Sequence, residues 1–325
     1  MSEALARPAL VAGVGASLCL AVLVASSPGC GDGTRIVLGQ GAASQAGDAG
    51  AGSGGPFGAP TLVAELASPG NNDFKETLTA DRLEIYFCSD RPGGPGNQDV
   101  WRATRAGVND PWSAPTLVAE VSSPSTETGP AVSADGLTLW VGSDRPGGKG
   151  GLDIWVSTRP SAASAWSTPA LVPELSTTGD EFPRPPGESG LVMPGSYRSA
   201  PANKYQTFTA SRLAPDAGAG DAGDAGWTPP ARLTEIDTAN IDTDGFLTDD
   251  GLTLYFSSDR ATAGDQDLYV ATRSSTGAPF TVFAPIAELN TAGHAERDPW
   301  LSPDGREIYF SSDRSGSLKI YRAAR

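Results

Sequence analysis

Five acidic residues stand at one position of a repeating pattern: Asp73, Glu127, Asp180, Asp242 and Glu296. Asp244 and Asp298 add a second carboxylate two residues further on in two of the copies. Carboxylate oxygens that converge around one opening can hold a hard cation such as Ca²⁺ or receive a basic partner segment. The other reading of the same column is local, each acid capping its own loop as Asp readily does in turns. Two carboxylates can also flank a sugar bond, but glycoside hydrolysis needs one acid held protonated and the other ionised. Acids that are equivalent by repeat position do not meet that need, and only Asp244, Asp298 and Glu181 break the equivalence. Binding therefore ranks ahead of catalysis, with no residue assigned a catalytic role and no cofactor expected beyond such a cation.

The remaining reactive side chains are few. His294 is the single histidine, two residues before Glu296, so a histidine-rich zinc site is excluded; no nucleophile motif accompanies it, and an exposed loop histidine is expected. Cys88 lies in the apolar run Glu84-Ile85-Tyr86-Phe87-Cys88 and reads as a small buried hydrophobe rather than a nucleophile.

The repeat itself is plainest in Ser-Asp-Arg at 89–91, 143–145, 258–260 and 312–314. The middle gap is about twice the outer two, and the missing copy is read at Ser196-Tyr197-Arg198, making five units. Arg105, Arg159, Arg212, Arg273 and Arg325 close the units; Phe57, Trp112, Trp166, Trp227 and Phe280 open them. A feature present in every unit solves a problem that every unit has. Asp90, Asp144, Asp259 and Asp313 are accordingly read as structural turn residues that accept loop N–H groups and pair with a repeat arginine. Trp101, Trp155, Tyr269 and Tyr321 are read as packing between units.

Each unit of about 54 residues reads as four short strands: a Leu-Val-Ala-Glu-Leu segment, an innermost strand starting three residues after the acid, an apolar strand and a closing strand. Asp-Gly at 135–136, 250–251 and 304–305 supplies hairpin turns. The pattern predicts an all-β, five-bladed β-propeller with four-stranded antiparallel blades, at 57–111, 112–165, 166–226, 227–279 and 280–325. The N-terminal segment Thr61 to Leu66 is expected to complete the last blade, leaving no long unpaired edge. Repeat 3, with Pro185-Pro186-Gly187, is expected to be short or irregular.

Ser302-Pro303-Asp304-Gly305, the strand after it and Ser312-Asp313-Arg314 resemble the WD-like repeats of TolB-type propellers, across residues 57 to 325. That resemblance implies an envelope protein whose partners dock at the central face of the disk.

The first thirty residues hold Arg7, an apolar run from Ala9 to Ala25 and Ser27-Pro28-Gly29-Cys30, the layout of an export signal. The small residues before Cys30 resemble a bacterial lipobox, which implies acylation of Cys30; cleavage with release as a soluble periplasmic or secreted protein is the alternative. Residues 31–56, of Gly, Ala, Ser and Asp, read as a flexible tether, and 214–226 as a loop of the same composition. Outer- or inner-membrane attachment would then run through the lipid alone. With 38 acidic against 23 basic side chains, a net charge of −15 excludes the electrostatic footprint of a nucleic-acid binder. The chain is read as a monomeric module that binds an envelope protein.

Overall fold

The computed structural model describes residues 55–198, 204–213 and 226–325. Cys30, nearly all of the tether and the 214–225 stretch lie outside them. The described chain is almost wholly β. A short β1 (Thr61–Leu62) comes first. One sheet then runs in order through β2 (Asp73–Leu78), β3 (Glu84–Ser89), β4 (Asp99–Thr104) and β5 (Thr116–Leu117), and a second through β6 (Glu127–Val132), β7 (Thr138–Ser143), β8 (Asp153–Thr158) and β9 (Ala170–Leu171). An eight-stranded sheet carries two such runs. The first is β10 (Asp180–Pro183), β11 (Val192–Arg198), β12 (Tyr205–Ser211) and β13 (Ala231–Arg232); the second is β14 (Asp242–Leu247), β15 (Thr253–Thr262), β16 (Asp265–Thr272) and β17 (Val282–Pro285). A single parallel pairing, Gln206 with Asp242, links the two runs. The last sheet orders β18 (Glu296–Leu301), β19 (Glu307–Ser312) and β20 (Lys319–Ala324), with β1 on its outside edge through Thr61–Arg322 and Leu62–Tyr321.

Local chemistry accounts for these hairpins. In the Asp-Gly turns, Asp135 and Asp250 each accept the N–H two residues on, and Gly136, Gly251 and Gly305 sit at φ 71°, 68° and 68°, where a side chain is strained. Six-residue strands such as Glu-Ile-Tyr-Phe-Cys-Ser are buried along their whole length, because a sheet lies against each face. Between neighbouring sheets the apolar residues gather into four clusters, one of which joins Phe57 and Leu66 to Trp300, Ile308 and Phe310.

Three expectations need correcting. The Leu-Val-Ala-Glu-Leu segment contributes only its start to a strand: in the first copy Leu62 pairs, and Ala64–Leu66 turns into a 3₁₀ helix that buries Leu66. The innermost strand begins at the acid itself, not three residues later. Its alternation is broken by a β-bulge whose inner residue has positive φ, at Lys75 (57°), Gly129 (55°), Asp244 (57°) and Asp298 (60°), which hides the strand from a period-two search. The third copy is one residue out of register: Gly195 faces Phe208 as Phe87 faces Trp101, so Ser196 occupies the place of Cys88 and not that of Ser89. Its innermost strand is short, β10 ending at Pro183 ahead of Pro185-Pro186.

The repeat columns meet in space. Each closing arginine lies over the aromatic ring that opens the following unit: Arg105 on Trp112 (4.2 Å), Arg159 on Trp166 (4.5 Å), Arg212 on Trp227 (5.2 Å), Arg273 on Phe280 (4.6 Å) and Arg325 on Phe57 (4.5 Å).

Candidate functional site on the innermost strands

Four acids of the column are buried and, Lys319 on Asp73 apart, are held within their own units. Asp73, Glu127, Asp242 and Glu296 are fully buried. Glu127 accepts the Ser123 N–H (2.8 Å), the Ser143 hydroxyl (3.0 Å) and Arg145 Nη2 (3.0 Å). Asp242 takes the Thr238 N–H and hydroxyl, the Ser258 hydroxyl (2.6 Å) and Arg260 Nη2 (2.8 Å). Glu296 takes Thr291 N–H, Ser312 and Arg314 in the same way, and Asp73 takes Ser68 N–H, Ser89, Arg91 and also Lys319. These carboxylates do not ring an open mouth: each locks the loop before its strand to the Ser and Arg of its own Ser-Asp-Arg turn. Burial pushes the Glu127 and Glu296 carboxyls above the usual range, against the hydrogen bonds from Ser123 and Ser312.

In the third unit this role belongs to Glu181, one residue from the expected Asp180. Its carboxylate takes the Thr177 N–H (2.8 Å) and hydroxyl, and its own N–H reaches Leu152 as that of Glu127 reaches Gln98. Asp180 pairs with Arg198 at a partly exposed position. The one-residue shift of unit 3 puts Glu181, not Asp180, opposite Tyr197.

The turn aspartates cap loops. Asp90 accepts Asn72 N–H (2.7 Å), Asp144 that of Thr126 (2.7 Å), Asp259 that of Ile241 (2.7 Å) and Asp313 that of Ala295 (3.0 Å). The repeat arginine goes to the buried acid instead, because the serine hydroxyl orients its Nε and aims Nη2 inward. His294 is 40% exposed, its Nδ1 3.1 Å from Asp313. Cys88 is buried and burial pushes its thiol up to about 12, so no thiolate is available for chemistry.

Asp244 and Asp298, by contrast, come together. The bulges of units 1, 4 and 5 meet there beside the β10 strand of unit 3: Lys75 Nζ lies 2.9 Å from Asp244, 3.2 Å from Asp298 and 3.8 Å from the centre of the Phe182 ring. Arg184, wholly buried, donates from Nη2 to the carbonyls of Asp298 (2.9 Å) and Pro299 (2.8 Å). Glu76 accepts the Ser311 hydroxyl at 2.8 Å. Burial and then Asp298 raise the Asp244 carboxyl; burial also works upward on Asp298, but Lys75 and Arg184 outweigh it and hold that group low. Lys75 and Glu76 escape a repeat-based reading of the sequence because their residue types do not recur: Gly129-Pro130 stands at those places in unit 2, Asp244-Gly245 in unit 4 and Asp298-Pro299 in unit 5. Among the described residues no group of three His, Cys, Asp or Glu side chains is arranged to hold a metal, so the Ca²⁺ ring is not assembled.

Glu76 gives a pH prediction. Burial, with Asp298 second, raises its carboxyl to about 8. The folded protein then binds this proton more tightly than the unfolded chain, so the group's contribution to stability falls as pH rises from about 4.5 to 8. Glu76→Gln removes that fall. Relative to the native chain, the variant gains at least about 1 kcal/mol between pH 5 and pH 8.5 in urea unfolding; a constant difference between the two pH values counts against a buried, protonated Glu76.

One end of the innermost strands is open. A cavity of about 340 Å³ is lined by Leu78, Val132, Pro186, Phe246 and Trp300, one from each unit. Acidic residues Glu188, Asp249, Asp250 and Asp304 edge it, and Arg325 is the one cation among its lining residues.

Comparison with solved structures supplies the class. The chain is similar to the α-L-arabinofuranosidase of Podospora anserina (12% identity, 78% of this chain and 90% of that one, TM-score 0.52). It is also similar to an endo-arabinase from Bacteroides thetaiotaomicron (14% identity, 83% and 98%, TM-score 0.50). A TolB-designated protein of Agrobacterium tumefaciens aligns at 14% identity over 81% and 82% of the two chains, with a TM-score of 0.48. The fold is that of a β-propeller. No protein-family model matches the sequence, and no curated protein does.

Proposed function

We propose that this chain is an exported, non-catalytic binding propeller of the cell envelope: five blades, closed by β1 against β20, tethered through an acylated Cys30, acting as a monomer. The observation that carries the binding reading is the contrast between the two ends of the axis. The acids of the innermost strands are neutralised by Lys75, by Arg184 and by the Ser-Arg locks, whereas the mouth cavity stays open with apolar walls and an acidic edge. Such a mouth suits a partner segment with one apolar anchor beside Lys or Arg. Glu188 and Asp249 are both exposed there. Converting them to Gln and Asn is expected to weaken capture of an envelope partner roughly tenfold at low salt, with the difference shrinking as salt is added. Equal capture by both forms removes the mouth from consideration.

A carbohydrate-active reading has one observation in its favour. Glu76 is held protonated while Asp298 is held ionised, the unlike pair that sugar hydrolysis requires. Both are sealed from solvent, and neither lines the mouth cavity. Hydrolysis of an arabinan or xylan oligosaccharide, abolished by Glu76→Gln, would favour this reading over the first.

A further inference from the structure

A tyrosine, a glutamate and the closing arginine of the next unit meet at the junction of units 1 and 2. Tyr86 Oη donates to Glu84 Oε2 at 2.6 Å, and the same oxygen takes Arg159 Nη2 at 2.8 Å. A carboxylate oxygen therefore fills the gap between a buried phenol and a buried guanidinium. The corresponding residues where unit 5 meets unit 1 are Tyr309, Glu307 and Arg105. There no carboxylate stands between the two, and Arg105 lies near enough to Tyr309 to act on its hydroxyl directly. Arg322 and Arg82 (2.8 Å) hold Glu307 instead, and both Tyr309 Oη and Arg105 Nη2 are buried without a hydrogen-bond partner.

One residue accounts for the difference. Arg82 sits at φ 60° in the turn position that Gly136, Gly251 and Gly305 hold in other units, and its guanidinium reaches across to draw Glu307 away. The freed groups are firmly placed: Arg105 lies 4.2 Å over the Trp112 ring with Nε bonded to the Arg82 carbonyl at 2.8 Å, and Tyr309 is wholly buried. Both line a cavity of about 350 Å³ bounded by β1. Leaving two buried donors unsatisfied costs free energy that an acceptor would recover.

We propose that this cavity is a binding slot for a small carboxylate, whose oxygen takes the Tyr309 hydroxyl and Arg105 Nη2 as Glu84 Oε2 takes their counterparts one junction along. Charge limits the ligand to a monoanion, since Glu65 and Asp110 also line the cavity and offset Arg105 and Arg322. Leu62 and Pro111 offer an apolar side for the carbon skeleton of the acid. Burial keeps the Tyr309 hydroxyl protonated and able to donate.

The test is calorimetric titration of the purified protein with acetate at ionic strength fixed by chloride, with acetamide as the neutral isostere. Saturable binding of acetate and none of acetamide is expected. Tyr309→Phe should weaken it about fivefold, the loss of one hydrogen bond. Arg82→Gly, which places glycine where the backbone favours it, should return Glu307 to the slot and weaken acetate binding at least tenfold while the protein stays folded. N-acetylalanine binding more tightly than acetate would identify a polypeptide carboxyl terminus as the source, and equal or weaker binding a free small acid. Acetate heats no different from those of acetamide, showing a slot filled by water alone, or undiminished binding by Arg82→Gly, would overturn the proposal.

Discussion

Replacing Lys75 by Met lowers the unfolding free energy by about 3–5 kcal/mol, because it strands two buried carboxylates beside each other. The ammonium is shared by Asp244 and Asp298, and the Asp298 carboxylate also accepts the Lys75 N–H at 3.2 Å. Arg184 stays nearby, but it makes no hydrogen bond to either carboxylate, its Nη2 donating to the carbonyls of Asp298 and Pro299. The deficit should depend on pH. Without Lys75 both folded-state carboxyls rise above their unfolded values, so the penalty is small near pH 4 and grows as pH rises. Asp244→Asn and Asp298→Asn, added together to Lys75→Met, should restore at least half of the loss, since neutral groups in a buried site avoid the desolvation that charges incur. Urea midpoints at pH 4.5 and 8 for the native, single and triple forms decide it. A single variant within about 1 kcal/mol of the native chain would mean that water reaches these acids.

The residues of this cluster also show where sequence reasoning reached and where it stopped. Features that recur were legible: the four Ser-Asp-Arg turns, the opening aromatics and the closing arginines found their places, because recurrence aligns them. The all-β class and the four-stranded antiparallel sheets followed from the same spacing. What escaped was the bulge, since a residue at positive φ cancels the alternation by which a strand is recognised. That loss moved the acids from inside the strand to a loop before it and turned buried locks into an apparent open ring. It also hid Lys75, which is a strained, singly occurring residue in a column otherwise filled by Gly129, Pro183, Asp244 and Asp298. A one-residue shift in unit 3 was invisible for a related reason: Asp180 and Glu181 are both acidic, and type alone cannot tell which faces Tyr197.

The second large effect is expected at the join between the two ends of the described chain. Residues 57 to 66 are tied to unit 5 by backbone, side-chain and stacking contacts, and through Leu66 to unit 1. Gly58 N–H donates to Ala324 (2.7 Å), Val63 N–H to Ile320 (3.0 Å) and Phe57 N–H to Glu288 Oε1 (3.0 Å). Arg325 stacks on Phe57, and the wholly buried Leu66 lends its carbonyl to Arg91. Phe57→Ala alone should cost about 3–5 kcal/mol through the cavity it leaves. Deleting the segment through Leu66 removes Phe57, Val63 and Leu66 from the core together, a loss on the order of the entire stability of a typical domain. It also bares the β20 edge, a template for pairing with another chain. The truncated protein should therefore unfold or self-associate more than the native form does at the same concentration, as sedimentation would show. A synthetic peptide of residues 55–66 added in trans should reverse that association and raise the melting temperature. The deletion leaving both stability and sedimentation unchanged would mean that β1 is an appendage, and that the last sheet needs no fourth strand.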